Sequence, residues 1–101
     1  MNASYNKVFL IGKIAKLPML KYTQRGTAIV ELELITNRTF CDEQGKNTDE
    51  PTTVHVTFFA RQAEVCAEYL TKDSPIFVEG RLDAGKGKRL QVTGEQFQFL
   101  K

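Results

Sequence analysis

The chain contains no tryptophan, a single histidine and two cysteines among 101 residues. Cys41 and Cys66 lie far apart and form no C-x-x-C pair, which argues against a disulfide framework and against a zinc site. His55 has no second ligand beside it in sequence. No Ser/His/Asp set or carboxylate pair of evident purpose accompanies it, so the residues offer neither a catalytic constellation nor a metal or cofactor site. No apolar run approaches the ~18 residues that a membrane-crossing helix needs. Met1 to Lys7 lacks the charged start and apolar stretch of a signal peptide, which makes the cytoplasm the expected location. The net charge is +2, too small to point to nucleic acid by itself. Its distribution is uneven: Arg81, Lys86, Lys88 and Arg89 crowd together against Asp83 alone, whereas Asp42, Glu43, Asp49 and Glu50 surround Lys46.

What is present is mostly strand pattern. Asn6 to Ala15 is almost continuously apolar and is interrupted by Gly12, which marks a bulge or a sharp bend. Thr27 to Asn37 alternates cleanly, with Ala28, Val30, Leu32 and Leu34 on one side. Arg38 to Pro51 holds turn formers and no apolar period and is expected to be a loop. Thr53 to Ala60 is the third strand. Ala63, Cys66, Ala67 and Leu70 recur at helical spacing, so Gln62 to Leu70 is expected to be a helix with Cys66 in the core. Ile76 to Leu82 forms the fourth strand, and Asp83 to Lys88 a glycine-rich hairpin turn. The last strand begins at Arg89; its parity slips at Gly94-Glu95, where a bulge restores alternation for Phe97 and Phe99.

Two of these strands carry a ring on the wrong side for a core. Phe59 shares its face with His55 and Thr57, and Phe77 shares its face with Glu79 and Arg81, while the aliphatic residues take the other side. Flat rings among polar groups suit the stacking of unpaired bases; packing under a loop or against another subunit is the plainer alternative. The basic stretch Arg81 to Arg89 reads either as a clamp on a nucleic-acid backbone or as a solvated turn. Phe9 and Ile11 make both faces of the first strand apolar, through burial within the chain or through contact with a second subunit.

Five antiparallel strands with a helix between the third and fourth form one all-β domain over residues 1–101. This is the layout of an OB-fold, a five-stranded Greek-key barrel.

Four stretches in this order resemble the bacterial single-stranded DNA-binding protein family. They are Asn6 to Ile14, Lys21 to Ile29, Phe58 to Leu70 and Val78 to Leu82. The resemblance implies an OB-fold assembled as a homodimer or homotetramer. It also implies sequence-independent binding of single-stranded DNA in replication, recombination and repair. Phe40 falls where the family commonly has a base-stacking tryptophan, and Phe59 matches a stacking phenylalanine. Lys7, Arg61 and Lys72 match basic positions that meet phosphates, and the resemblance supports subunit contact at Phe9 and Ile11.

The chain departs from the family pattern in several places. Thr53 stands where another stacking tryptophan is frequent, and Val54 where a histidine often supports subunit contacts. The hairpin before the last strand is short, and the segment after Phe40 is acidic. The sequence ends at Leu100-Lys101, where family members typically continue into a linker and an acidic tip that recruits other proteins; a short, tail-less form is therefore expected. These departures leave room for a second reading, a primosomal OB-fold subunit of replication restart with weaker DNA binding and mainly replication or restart proteins as partners.

Overall fold

The computed structural model describes residues 3–85 and 89–100. The elements are β1 (Val8–Ile14), β2 (Met19–Tyr22), β3 (Ala28–Cys41), β4 (Asn47–Phe59), α1 (Ala60–Tyr69), β5 (Pro75–Ala84) and β6 (Leu90–Phe99). The wall runs β1-β5-β6-β4-β3 and closes through a β1–β3 pairing, while β2 adds to the free edge of β3. This is the expected five-stranded barrel with one extra short strand, so the helix falls between the fourth and fifth strands rather than the third and fourth. Closure removes the open edges that a flat sheet of these strands would expose. The pairings are antiparallel except β4–β6, which run parallel at Val56↔Val92 and Thr57↔Thr93.

The core follows from the alternation. Val30, Leu32 and Leu34 of β3, Val56 and Phe58 of β4, and Ile76 and Val78 of β5 are all buried. Phe58 is the largest fully buried side chain and meets Phe97 edge-on, with ring centroids 5.2 Å apart at 78°. A Cβ on Gly94 would run into the Phe58 ring, so the glycine makes room for it. Gly12 has a different reason to lack a side chain. A Cβ there would meet the carbonyl oxygen of Ile35, at the place where β1 and β3 close the barrel.

α1 is specified by packing more than by local signals. It has no side-chain N-cap, no acidic residue in its first turn and no basic residue in its last. It covers the barrel with Ala63 and Cys66, both fully buried. Burial pushes the Cys66 thiol up to about 12, so it stays protonated, whereas Cys41 is exposed.

The largest departure from expectation lies at residues 38–51. There β3 and β4 continue past the barrel as a two-stranded arm, paired from Asn37↔Pro51 to Cys41↔Asn47. The turn itself takes only residues 42–46, and the turn formers Asn47 and Asp49 lie in β4. Asp42 accepts the Gln44 and Lys46 amides on its carboxylate at 2.9 Å each, and Gly45 sits at φ 79°. The flanking residues pair with one another instead of with a core: Arg38 bonds Glu50 at 3.4 Å and Thr39 bonds Asp49 at 2.7 Å. A ribbon without a core has no reason to alternate apolar and polar, so its strands leave no period in the sequence.

At Gly94-Glu95 the expected bulge is present. Glu79 pairs with Gln96 and Gly80 with Gly94, which leaves Glu95 as the extra residue on β6.

Candidate nucleic-acid interface

Phe59 is the last residue of β4, paired with Ile29, and is 43% exposed. The chain then turns sharply into α1 with Ala60 at φ 59°. A left-handed conformation costs an L-residue roughly 1–2 kcal/mol, and here it separates Phe59 from the exposed Arg61. Ala60→Gly is expected to stabilise the fold by up to about 1 kcal/mol, since glycine takes this φ freely and gives back part of the gain as chain entropy. Denaturant titration checks the sign, and a destabilised variant would show that the turn is not strained.

Gln62, in the first turn of α1, donates from Nε2 to the carbonyl of the bulged Glu95 at 2.7 Å. The Glu95 carboxylate lies 3.0 Å from Lys7 Nζ and 3.9 Å from Arg81 Nη1. Lys7 also reaches Glu79 at 3.5 Å. The hydrogen bond to Glu95 holds the Lys7 ammonium above the ordinary lysine range; desolvation opposes this, and the charges of Glu95 and Glu79 add to it. Asn6 fixes the segment by exchanging two side-chain hydrogen bonds with the Leu82 backbone, at 2.8 and 2.9 Å. Gln62 thus ties the start of α1, which follows Phe59 and Arg61 in the chain, to the β6 bulge whose Glu95 holds Lys7 and Arg81.

The other expected residues are not part of this hydrogen-bonded set, although Phe9 and Phe77 lie on the same outward face of β1 and β5 as Lys7 and Glu79. Phe40 is half-buried on the arm, and the guanidinium carbon of Arg38 sits 4.6 Å from its ring centre. By strand parity Phe40 and Phe59 leave opposite faces of the β3–β4 ladder, because Phe40 continues the row of Leu34 and Phe59 is paired in the row of Ile29. Lys72 is exposed in the turn after α1, and Arg89 is exposed just before β6. Lys86 and Lys88 lie outside the described residues. Phe77 is half-buried and stacks on Phe9, with centroids 6.3 Å apart at 22°. It therefore shares one patch with Phe9 and Ile11, which are 61% and 64% exposed. Beside this patch a groove of ≈ 360 Å³ is lined by Ile11, Gly12, Lys13, Ile35 and Pro75 among others. His55 lies in a separate cleft with Glu31, Glu33 and Lys16. Among the described residues, no three His, Cys, Asp or Glu side chains converge as a metal site would require, and no helix is long and apolar enough to cross a membrane.

Sequence reading did not single out Arg38, Glu95 or Asn6. Arg38 and Phe40 are two apart and share a face, a signal that appears only once the arm is known to be strand. Glu95 was within reach, since the parity slip already located the bulge.

The family described as "Single-strand binding protein family" matches residues 5–99. The chain belongs to the single-strand binding protein family. It is 36% identical over 104 residues to the single-stranded DNA-binding protein of Wolinella succinogenes, covering 95% of this chain and 64% of the relative. It is 38% identical to that of Bacillus cereus, covering 94% and 59%. The crystal structure of the wild-type single-stranded DNA binding protein from Thermus aquaticus superposes with a TM-score of 0.83 at 38% identity, over 96% of this chain and 50% of that one. The chain thus spans half to two thirds of the length of these family members. As a family member the chain has the OB-fold barrel, from which the β3–β4 arm projects.

Proposed function

We propose that the chain binds single-stranded DNA without regard to sequence, by base stacking and phosphate contact. The observation that carries this reading is the exposed Phe59 ring with Arg61 two residues on and Lys7 and Arg81 linked across the β6 bulge. A base stacked on a ring is indifferent to its identity because every base has a π-face, and cations alongside track the backbone. Phe40 supplies a second ring. Its Arg38 neighbour covers one side, leaving the other for a base and a cation beside it for the next phosphate. A strand that meets both rings passes from one face of the ladder to the other, following the twist of the arm or crossing its edge. Lys72, Arg89, Lys86 and Lys88 extend the basic path.

Phe77 is better placed with Phe9 and Ile11 in a subunit contact than on a base, because its ring is already stacked on Phe9. Assembly as a homodimer or homotetramer through that patch would let one strand run over several copies, with the gain in affinity that linked sites provide. The implied setting is DNA replication, recombination and repair in the bacterial cytoplasm, with replication or restart proteins as partners and no enzymatic activity.

Fluorescence anisotropy with labelled oligo-dT at two salt concentrations tests the reading. Each phosphate neutralised contributes about −0.7 to the log–log salt slope on single strands. Engagement of three or four cations therefore predicts a slope of about −2 to −3, with duplex of equal length binding far more weakly. Equal affinity for duplex, or no binding, overturns the proposal. Sedimentation at micromolar concentration gives a dimer or tetramer on this reading, and a monomer removes the assembly.

A further inference from the structure

We propose that His55 is a further DNA-contact residue, a second ring on the Phe59 face whose protonation tightens the hold on single-stranded DNA. The inference rests on the binding reading above and gives a role to a side chain which that reading leaves unused.

The geometry repeats itself along β4. Phe59 pairs with Ile29 of β3, and Ile29 pairs with Lys21 of β2, so an exposed ring, a spacer and a lysine lie in one row across the outward face. Four residues back along β4, His55 pairs with Glu33 of β3, whose carboxylate lies 3.4 Å from Lys16 Nζ. This second row again holds an exposed ring, a spacer and a lysine, in the same order. Residues two and four apart on a strand share a face, so His55 and Phe59 look the same way with Thr57 between them. At ~3.3 Å per residue the two positions stand roughly 13 Å apart along β4. Even at a stacked spacing of ~3.4 Å per nucleotide, about four nucleotides cover that distance, the low end of what one OB-fold holds. A strand stacked on Phe59 and led along the lysine side therefore reaches His55. Phe9, Ile11 and Phe77, the patch assigned to subunit contact, belong to β1 and β5, and none of them lines the His55 cleft.

Imidazole stacks on bases as the other aromatic side chains do. It also gains a charge as the solution passes from mildly basic to mildly acidic. The charged groups on the β3 and β2 side of His55 are Glu33, Glu31, Lys16 and Lys21. On the other side, the Val56↔Val92 register sets Gln91 of β6 next to His55, with the exposed Arg89 just before that strand. Asp83 of β5 pairs with Gln91 and accepts a hydrogen bond from Thr93 Oγ1 at 3.0 Å. Within the cleft two lysines offset two glutamates, so its balance turns on His55. Arg61, exposed just past Phe59, keeps its charge throughout and adds to the other end of the row. A phosphate brought beside the imidazole favours its charged form, so binding takes up a proton and affinity rises as pH falls.

Anisotropy titration of labelled oligo-dT at about pH 8 and about pH 5.5 tests this across the range in which imidazole changes charge. Thymine has no group that titrates between them, and His55 is the single histidine of the chain. One added phosphate contact should steepen the parent's salt slope by about 0.7 at the lower pH and tighten binding roughly five- to tenfold at about 50–100 mM salt. His55→Phe keeps a ring and removes the titration, so its affinity should be level between the two pH values. His55→Gln removes both; it should bind about fivefold or more weakly than the parent at the higher pH and fall further behind at the lower. His55 is exposed, so circular dichroism should show both variants folded.

A parent whose affinity does not rise at the lower pH overturns the inference, as does a rise that survives in His55→Phe. Parent-like binding of His55→Gln at the higher pH also overturns it, since the ring then meets no base. If the parent itself fails to bind oligo-dT at either pH, the binding reading falls and takes this inference with it. Binding that depends on Phe59 and ignores His55 removes the inference alone.

Discussion

Phe58→Ala is expected to cost about 3–5 kcal/mol of folding stability, the usual range for emptying a buried phenylalanine site. In a domain whose total stability is about 5–15 kcal/mol, that leaves a barely folded protein. At about 4–8 °C per kcal/mol the melting temperature should fall by well over 10 °C, which calorimetry or circular dichroism would record. The site has little scope to collapse. Phe58 is fully buried, its ring is met edge-on by Phe97, and the Gly94 backbone closes over it. Gly94→Ala approaches the same contact from the other side by forcing a methyl group into the ring, with an expected cost of about 1–3 kcal/mol from overpacking. The two changes should not add. In a Phe58→Leu background the Gly94→Ala penalty should shrink, because the clashing ring atoms are gone, and a double-mutant cycle would measure the coupling. Additive losses would show that Gly94 is needed for its backbone and not for the space it leaves.

Phe59→Ala and Phe40→Ala are expected to weaken oligo-dT binding by about 1–3 kcal/mol each, a loss of five- to more than a hundredfold. Phe59 is 43% exposed and Phe40 lies on an arm outside the core, so neither loss should be accompanied by unfolding. The salt slope separates stacking from charge. Removing a ring should lower affinity at every salt concentration and leave the slope unchanged, whereas removing Arg61 should flatten it by about 0.7. If both ring variants bind like the parent at matched salt, the bases do not lie on these rings. If Phe40→Ala alone is silent, the arm is not part of the path.

The barrel was legible in the sequence because each of its strands buries one side. Ala28 to Leu34 and Ile76 to Val78 alternate for that reason, and the parity slip before Phe97 revealed the bulge. The arm was not legible, because Arg38, Thr39, Asp49 and Glu50 pair across strands through polar groups and answer to no core. β2 escaped notice for a related reason. It is four residues long and pairs on one edge only, so Met19 and Tyr22 remain exposed and show no inward row. The exposure of Phe59 was legible from its position opposite the aliphatic row. Phe77 obeyed the same rule and met a different fate, since alternation gives a side chain its face but cannot say that Phe9 will lie diagonally across from it. The cations were visible as residue types, while the carboxylates occupying Lys7 and Arg81 come from β5 and β6, brought close only by folding.

The β3–β4 arm makes grip and robustness separately adjustable. Residues 37–51 stand outside the apolar interior, so on the proposed binding mode exchanges of Arg38, Phe40, Asp49 or Glu50 would alter how firmly DNA is held while the temperature at which the barrel melts stays put. A lineage under selection for stronger or looser hold on a strand has, in this appendage, ground where substitutions escape the penalty that the packed centre imposes.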